Sequence, residues 1–118
     1  MRIEFIAQAG VKIHTAHGSI LCDPWFNPAY YAGWFPYPRN DKLDHAALGA
    51  TDYLYISHLH RDHFDPEWLK AYCNKDAVVI LPAYPLPELK EALEGLGFHT
   101  FIETQSGVPV RHGGLSIV

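Results

Sequence analysis

Residues 57–65 read Ser-His-Leu-His-Arg-Asp-His-Phe-Asp, three histidines and two aspartates in nine positions, directly after the apolar-rich run Asp52-Tyr53-Leu54-Tyr55-Ile56. A strand that ends in such a cluster decides how the rest of the chain is read. On an extended path, side chains two residues apart project to the same side, so His58 and His60 face together in chelate geometry. Asp62 and His63 follow where the chain turns toward Asp65 and Pro66, a pair suited to cap a helix and to occupy its first turn. Neutral imidazole combined with carboxylate suits zinc, iron or manganese. One such histidine alone would read as a solvated loop residue. Four candidate ligands, His58, His60, Asp62 and His63, at the end of a buried strand predict a site for one or two divalent metal ions.

Working outward, Arg2–Ala7, Val11–Ala16 and Ser19–Pro24 alternate polar and apolar side chains around turn residues, which predicts an antiparallel meander over residues 2–23. Residues 24–41 hold four prolines and seven aromatic residues, the composition of a long ordered loop. A short helix is expected around Leu43–Leu48, a buried strand over Ala50–Ser57, a helix over Asp65–Cys73 and a strand over Ala77–Pro82. Residues 85–98 predict a further helix, with Leu86, Leu89, Leu93 and Leu96 at helical spacing and Gly95 or Gly97 as its stop. Phe98–Glu103 reads as the last strand. The fold class is therefore α/β, a meander followed by strand-helix-strand-helix units whose crossovers place helices on at least one face of the sheet.

At 118 residues the chain is one domain at most and buries only a modest core. A formal charge of −4, with lysines and arginines scattered, argues against a nucleic-acid partner. No apolar run is long enough to span a bilayer, and the first residues lack the order of a secretory signal, so a cytoplasmic location is expected. Cys22 and Cys73 are accordingly expected as reduced, mostly buried thiols.

The cluster also carries a family resemblance. His58-Leu59-His60-Arg61-Asp62-His63 matches the His-x-His-x-Asp-His signature of the metallo-β-lactamase superfamily, and Ile20-Leu21-Cys22-Asp23-Pro24-Trp25 resembles its upstream strand ending in an aspartate. The wording of both motifs is most similar to the branch holding the ascorbate-phosphate lactonases, the N-acyl-phosphatidylethanolamine phospholipase and the CMP-sialic-acid hydroxylase-like proteins. The resemblance implies that residues 1–118 form a single partial domain, the amino-terminal half of an αββα sandwich. It further implies His58 and His60 on a first metal, Asp62 and His63 on a second, and Asp23 behind them as a hydrogen-bond partner. A complete member adds a second half with another histidine, a bridging aspartate and a last histidine, and none of these is reached before Gly113-Gly114-Leu115-Ser116-Ile117-Val118. An apolar face and sheet edges are then expected to lie open, to be covered by self-association or by the missing half.

The function this implies is hydrolysis of a small-molecule ester, lactone or phosphodiester by metal-activated water, with Asp62 orienting the nucleophile or holding the second metal. An iron-dependent oxygenase on the same ligands is the first alternative, and a non-catalytic fragment or assembly module the second. Other candidates carry less. The rings between Trp25 and Tyr37 wall a pocket or, more commonly for such residues, cover the sheet, while Arg39 and Arg61 are either anion contacts or surface charges. Cys22 reads as a small buried hydrophobe. His14, His17, His45, His99 and His112 lack ligand spacing, with His99 placed in a strand and His112 in a surface turn.

Overall fold

The computed structural model describes all residues, 1–118. Strands β1 (Arg2–Ala7), β2 (Gly10–Thr15) and β3 (Gly18–Cys22) form the expected antiparallel meander. From β3 the chain switches to parallel pairing through β4 (Tyr53–Tyr55), β5 (Val78–Pro82) and β6 (Phe101–Thr104), giving one six-stranded mixed sheet in sequential order. Helices α1 (His45–Gly49), α2 (Pro66–Tyr72) and α3 (Glu88–Gly95) lie in the three crossovers. Because the parallel strands advance in one direction, crossovers of a single hand deliver all three helices to the same face. A hairpin, β7 (Val110–His112) and β8 (Leu115–Ile117), completes the chain.

The core follows from that placement. Leu21, Leu54, Val79 and Leu81 point from the sheet to meet Leu48, Trp68, Leu69, Leu89 and Leu93 of the helices in one buried cluster. Alpha helices α1 and α2 approach so closely that a Cβ on Gly49 would sit 2.0 Å from the Tyr72 carbonyl oxygen, which reserves that position for glycine. Lys12 projects into the same layer and donates from Nζ to the carbonyl oxygens of Ala47, Leu48 and Ala50 at 2.8, 3.2 and 3.2 Å. A cation thus satisfies the carbonyls at the end of α1, where the helix dipole favours positive charge. Burial pulls the Lys12 ammonium below its ordinary value.

The opposite face is built differently. Ile3 pairs with Ile13, Ile13 with Ile20, Ile20 with Tyr53 and Tyr55 with Ile80, so apolar side chains cross the sheet at successive positions there too. A groove of about 640 Å³ runs over this face, bounded on one side by Ile117 and Val118 of the hairpin. Ile3 and Phe5 on the edge strand remain more than half exposed, at 59% and 58%.

Several expectations are corrected in detail. Helix α3 starts only at Glu88 because Pro85 and Pro87 hold the preceding segment out of helical geometry, so Leu86 leaves the apolar stripe and is 64% exposed. His99 precedes β6 instead of lying in it and pairs with Asp76 on the surface. His112 sits at the end of β7, not in a turn, with Nδ1 3.0 Å from the Tyr53 hydroxyl. His45 opens α1, accepting at Nδ1 from Trp68 Nε1 at 2.8 Å and donating from Nε2 to the Asp41 carbonyl at 2.9 Å. Both cysteines are free, and burial raises each thiol to about 11. No helix is long and apolar enough to cross a membrane.

Candidate metal centre

Parallel strands β3, β4 and β5 align Cys22, Tyr55 and Ile80, so their carboxyl ends open at one edge of the sheet. Asp23, the Ser57–His63 segment and the Pro82–Tyr84 segment therefore emerge side by side, at the end of an α/β sheet where ligands are usually bound.

Asp23 organises this edge. Its backbone takes φ 39°, in the left-handed region that aspartate tolerates better than most side chains, while its N–H donates to the Tyr55 carbonyl at 3.0 Å. Asp23 is 5% exposed and its carboxylate is fully engaged. Oδ1 accepts from the Ser57 N–H at 2.8 Å, and Oδ2 accepts from Ser57 Oγ at 2.6 Å and from His63 Nδ1 at 2.9 Å. Having given its proton to Asp23, Ser57 Oγ accepts from His58 Nδ1 at 2.8 Å. Both rings consequently carry the proton on Nδ1, leaving the Nε2 lone pairs of His58 and His63 turned away from the carboxylate.

The two rings lie with centroids 4.1 Å apart, and His60 meets His58 edge-on at 4.7 Å. Burial, reinforced by the imidazoles of His63 and His60, pushes His58 below the usual histidine value and favours the neutral, ligating form. Asp62 is buried beside them, its Oδ2 3.5 Å from His63 Nε2. Its Oδ1 accepts from the Tyr30 hydroxyl at 3.3 Å, and Gln8 Nε2 reaches Oδ2 at 3.5 Å.

The fold thus gathers His58, His60, Asp62 and His63 into one patch with Asp23 behind it. No three of these donors converge closely enough to hold one ion together. Fit to a divalent cation rests on donor type and orientation, the Nε2 atoms of His58 and His63 beside the Asp62 carboxylate, and His60, the exposed member, is the one least fixed by its surroundings.

Asp65 closes the loop. Its Oδ1 caps α2 at the Trp68 N–H, 3.1 Å away, and its Oδ2 accepts from the N–H groups of Phe26 and Asn27 at 2.9 and 2.8 Å. One buried carboxylate therefore ties the histidine segment to the start of the aromatic loop. That loop divides: Trp25 is buried and Phe26 stacks on Trp68 with centroids 4.5 Å apart, whereas Tyr31, Trp34, Phe35 and Tyr37 are exposed. It is a cover only over its first residues. Arg39 pairs with Asp41 at the surface, Arg61 is exposed, and Cys22 lies on the open face.

Ser57, Tyr30 and Gln8 are the site residues that sequence reading does not pick out. Ser57 adjoins the cluster, yet its bridging role depends on where Asp23 comes to rest. Tyr30 and Gln8 reach Asp62 across 32 and 54 positions, through folds of the loop and the first turn that no local pattern announces.

No protein-family model matches the chain. A Mycolicibacterium smegmatis protein provisionally named a Rieske 2Fe-2S iron-sulfur protein is 60% identical over 108 residues, 92% of this chain and 21% of that protein. The cytidine monophosphate-N-acetylneuraminic acid hydroxylase of Asterias rubens is 35% identical over 68 residues, 55% of this chain and 10% of its own length. The chain thus spans about a fifth of the first relative and a tenth of the second. Among solved structures, isothiocyanate hydrolase from Delia radicum gut bacteria superposes with a TM-score of 0.69 at 20% identity, covering 98% of this chain and 46% of that one. A structure described as a possible metal-dependent hydrolase, from Veillonella parvula, gives 0.68 at 18% identity over 92% of this chain and 43% of its own. These likenesses establish the fold as that of the matched portions of hydrolase structures. A Rieske cluster needs two cysteines and two histidines converging, and here Cys73 lies in the helix-side core while Cys22 faces the opposite groove. Within these 118 residues that cofactor does not fit.

Proposed function

We propose that this chain is the amino-terminal half of an αββα metallo-β-lactamase sandwich and carries part of the active site of a metal-dependent hydrolase acting on an ester, lactone or phosphodiester. The observation that carries this reading is the Asp23–Ser57 network, which fixes His58 and His63 as Nδ1–H tautomers with neighbouring Nε2 atoms free. His58 and His60 would hold one divalent ion, and His63 with Asp62 a second or the attacking water. Zinc fits these donors best, with manganese and iron acceptable to the same set. When bound, such an ion supplies hydroxide near neutral pH and polarises the carbonyl or phosphoryl group under attack. The chain's own part is to keep His58 neutral, to aim His58 and His63 through buried Asp23 and Ser57, and to offer Asp62 to orient the nucleophile.

An iron-dependent oxygenase is the second reading, favoured by relatives named as an iron-sulfur protein and as a hydroxylase. Covering of the open sheet face, by a second copy or by further chain of the kind that makes the structural neighbours about twice as long, belongs to either reading. The experiment is metal quantification after equilibration with zinc, manganese or ferrous iron, followed by turnover of 4-nitrophenyl acetate and bis(4-nitrophenyl) phosphate and by oxygen-uptake measurement. Bound zinc or manganese with hydrolysis supports the first reading. Retention of iron alone with oxygen uptake replaces it by the second, and a chain that retains no metal overturns both.

A further inference from the structure

A cleft of about 330 Å³ opens beside His58, between the histidine segment and the connection from β5 to α3. Its walls are Leu59, Tyr84, Leu86 and Leu89, and its one charged side chain is Glu88. Leu59, Tyr84 and Leu86 are exposed at 38%, 48% and 64%, an apolar surface concentrated where the strand ends open and unexplained by the core. Two features hold the cleft in shape. The Tyr84 hydroxyl donates to the Ser57 carbonyl, tying the far wall to the residue that orients His58. Pro82, Pro85 and Pro87 remove backbone freedom from that wall, so little ordering is left for a ligand to impose.

We propose that this cleft is the substrate-recognition subsite of the candidate centre and takes an uncharged apolar substituent, an aryl or short alkyl group carried next to the bond attacked at His58. The proposal rests on the hydrolase reading for the position of that bond. The cleft's own chemistry selects the ligand class: four apolar or aromatic walls favour transfer of hydrocarbon from water, and Glu88 at the rim opposes an anion of the same shape. Substrates whose leaving or acyl group carries a carboxylate or phosphate at this end would be disfavoured.

Binding is read without turnover, so failure here and failure of the hydrolase reading separate. The methyl-labelled full chain is titrated with benzyl alcohol and with benzoate, two probes that share a ring and differ in charge, while leucine and isoleucine methyl resonances are followed by NMR. Shifts should be centred on Leu59, Leu86 and Leu89, with benzyl alcohol bound about fivefold more tightly than benzoate. Glu88→Gln should narrow that ratio toward one without moving the benzyl alcohol affinity. Leu86→Asp, at an exposed position outside α3, should weaken benzyl alcohol by about fivefold or more while the folded spectrum is retained. Shifts centred instead on Ile13, Ile20 and Ile80, or a benzoate preference that survives in the wild-type chain, would overturn the proposal whatever the metal content proves to be.

Discussion

The two faces of the sheet are both apolar, yet only one is finished. On the helix side, Leu21, Leu54 and Val79 are fully buried under three helices, whereas on the other side Ile13, Ile20 and Ile80 border an open groove with a short hairpin at its margin. Sequence pattern alone treats these positions alike. What separates them is topology, because one-handed crossovers along a sequential strand order spend every helix on a single face. The site sits where this asymmetry matters, at strand ends held firmly from the helix side by Asp65 and open on the other.

Truncating one side chain on each face measures the difference directly. Leu54→Ala leaves a cavity in the closed layer and should cost about 3–4 kcal/mol in urea unfolding, while Ile20→Ala on the open face should cost about 1 kcal/mol or less. Equal losses would mean that the open face is covered in solution, and a concentration-dependent midpoint would identify a second copy as the cover. Next in size is Asp65→Ala. Removing a buried carboxylate that caps α2 and accepts from Phe26 and Asn27 should lower stability by about 2 kcal/mol. It should also release the tryptophan signal of Trp25 and Trp68 toward that of exposed indole, and an unchanged emission spectrum would show that the clamp is dispensable.

The smallest effect belongs to Lys12. Its folded value lies below the ordinary lysine value, so the unfolded chain binds more protons in the window between the two, and stability gained through this residue rises with pH up to the unfolded value near 10.4. Cys22 and Cys73, raised to about 11, act in the opposite sense above the ordinary thiol value, because there the folded chain holds the extra protons. The informative quantity is therefore the stability difference between wild type and Lys12→Met, expected to shift in favour of the wild type as pH rises from 8 to 10. A flat difference would mean that the ammonium is solvated.

Much of this architecture is legible in the residues. Alternation of polar and apolar side chains gives the meander, and Asp65-Pro66 announces α2; the strand expected over residues 50–57 is only Tyr53–Tyr55, so His58 and His60 lie in the loop beyond it and meet through the turn toward α2, not on an extended strand tip. Less legible is whatever depends on distant partners. Pro85 and Pro87 shorten α3 and turn Leu86 outward to the cleft, although its spacing fits the buried stripe. Gly113-Gly114 between Val110-Arg111-His112 and Leu115-Ser116-Ile117 is a hairpin signal that is easily passed over, because each flanking run is only three residues long. Asp23 is readable as a site residue only through the family pattern, and its hold on Ser57 and His63 appears once β3 and β4 are paired. Tyr30 and Gln8 come to Asp62 through loops whose course no period predicts.

At the centre stands the proposed binding of a divalent cation by His58 and His60 beside His63 and Asp62, with His58 and His63 oriented through Asp23 and Ser57. Zinc titration of the full chain by isothermal calorimetry, with His58→Ala/His60→Ala and Asp23→Asn alongside, tests it directly. Saturable binding is expected for the wild type, loss of it for the double variant, and a drop of about tenfold or more for Asp23→Asn while the fold is kept. Equal zinc affinity in all three proteins, or none in the wild type, would contradict it.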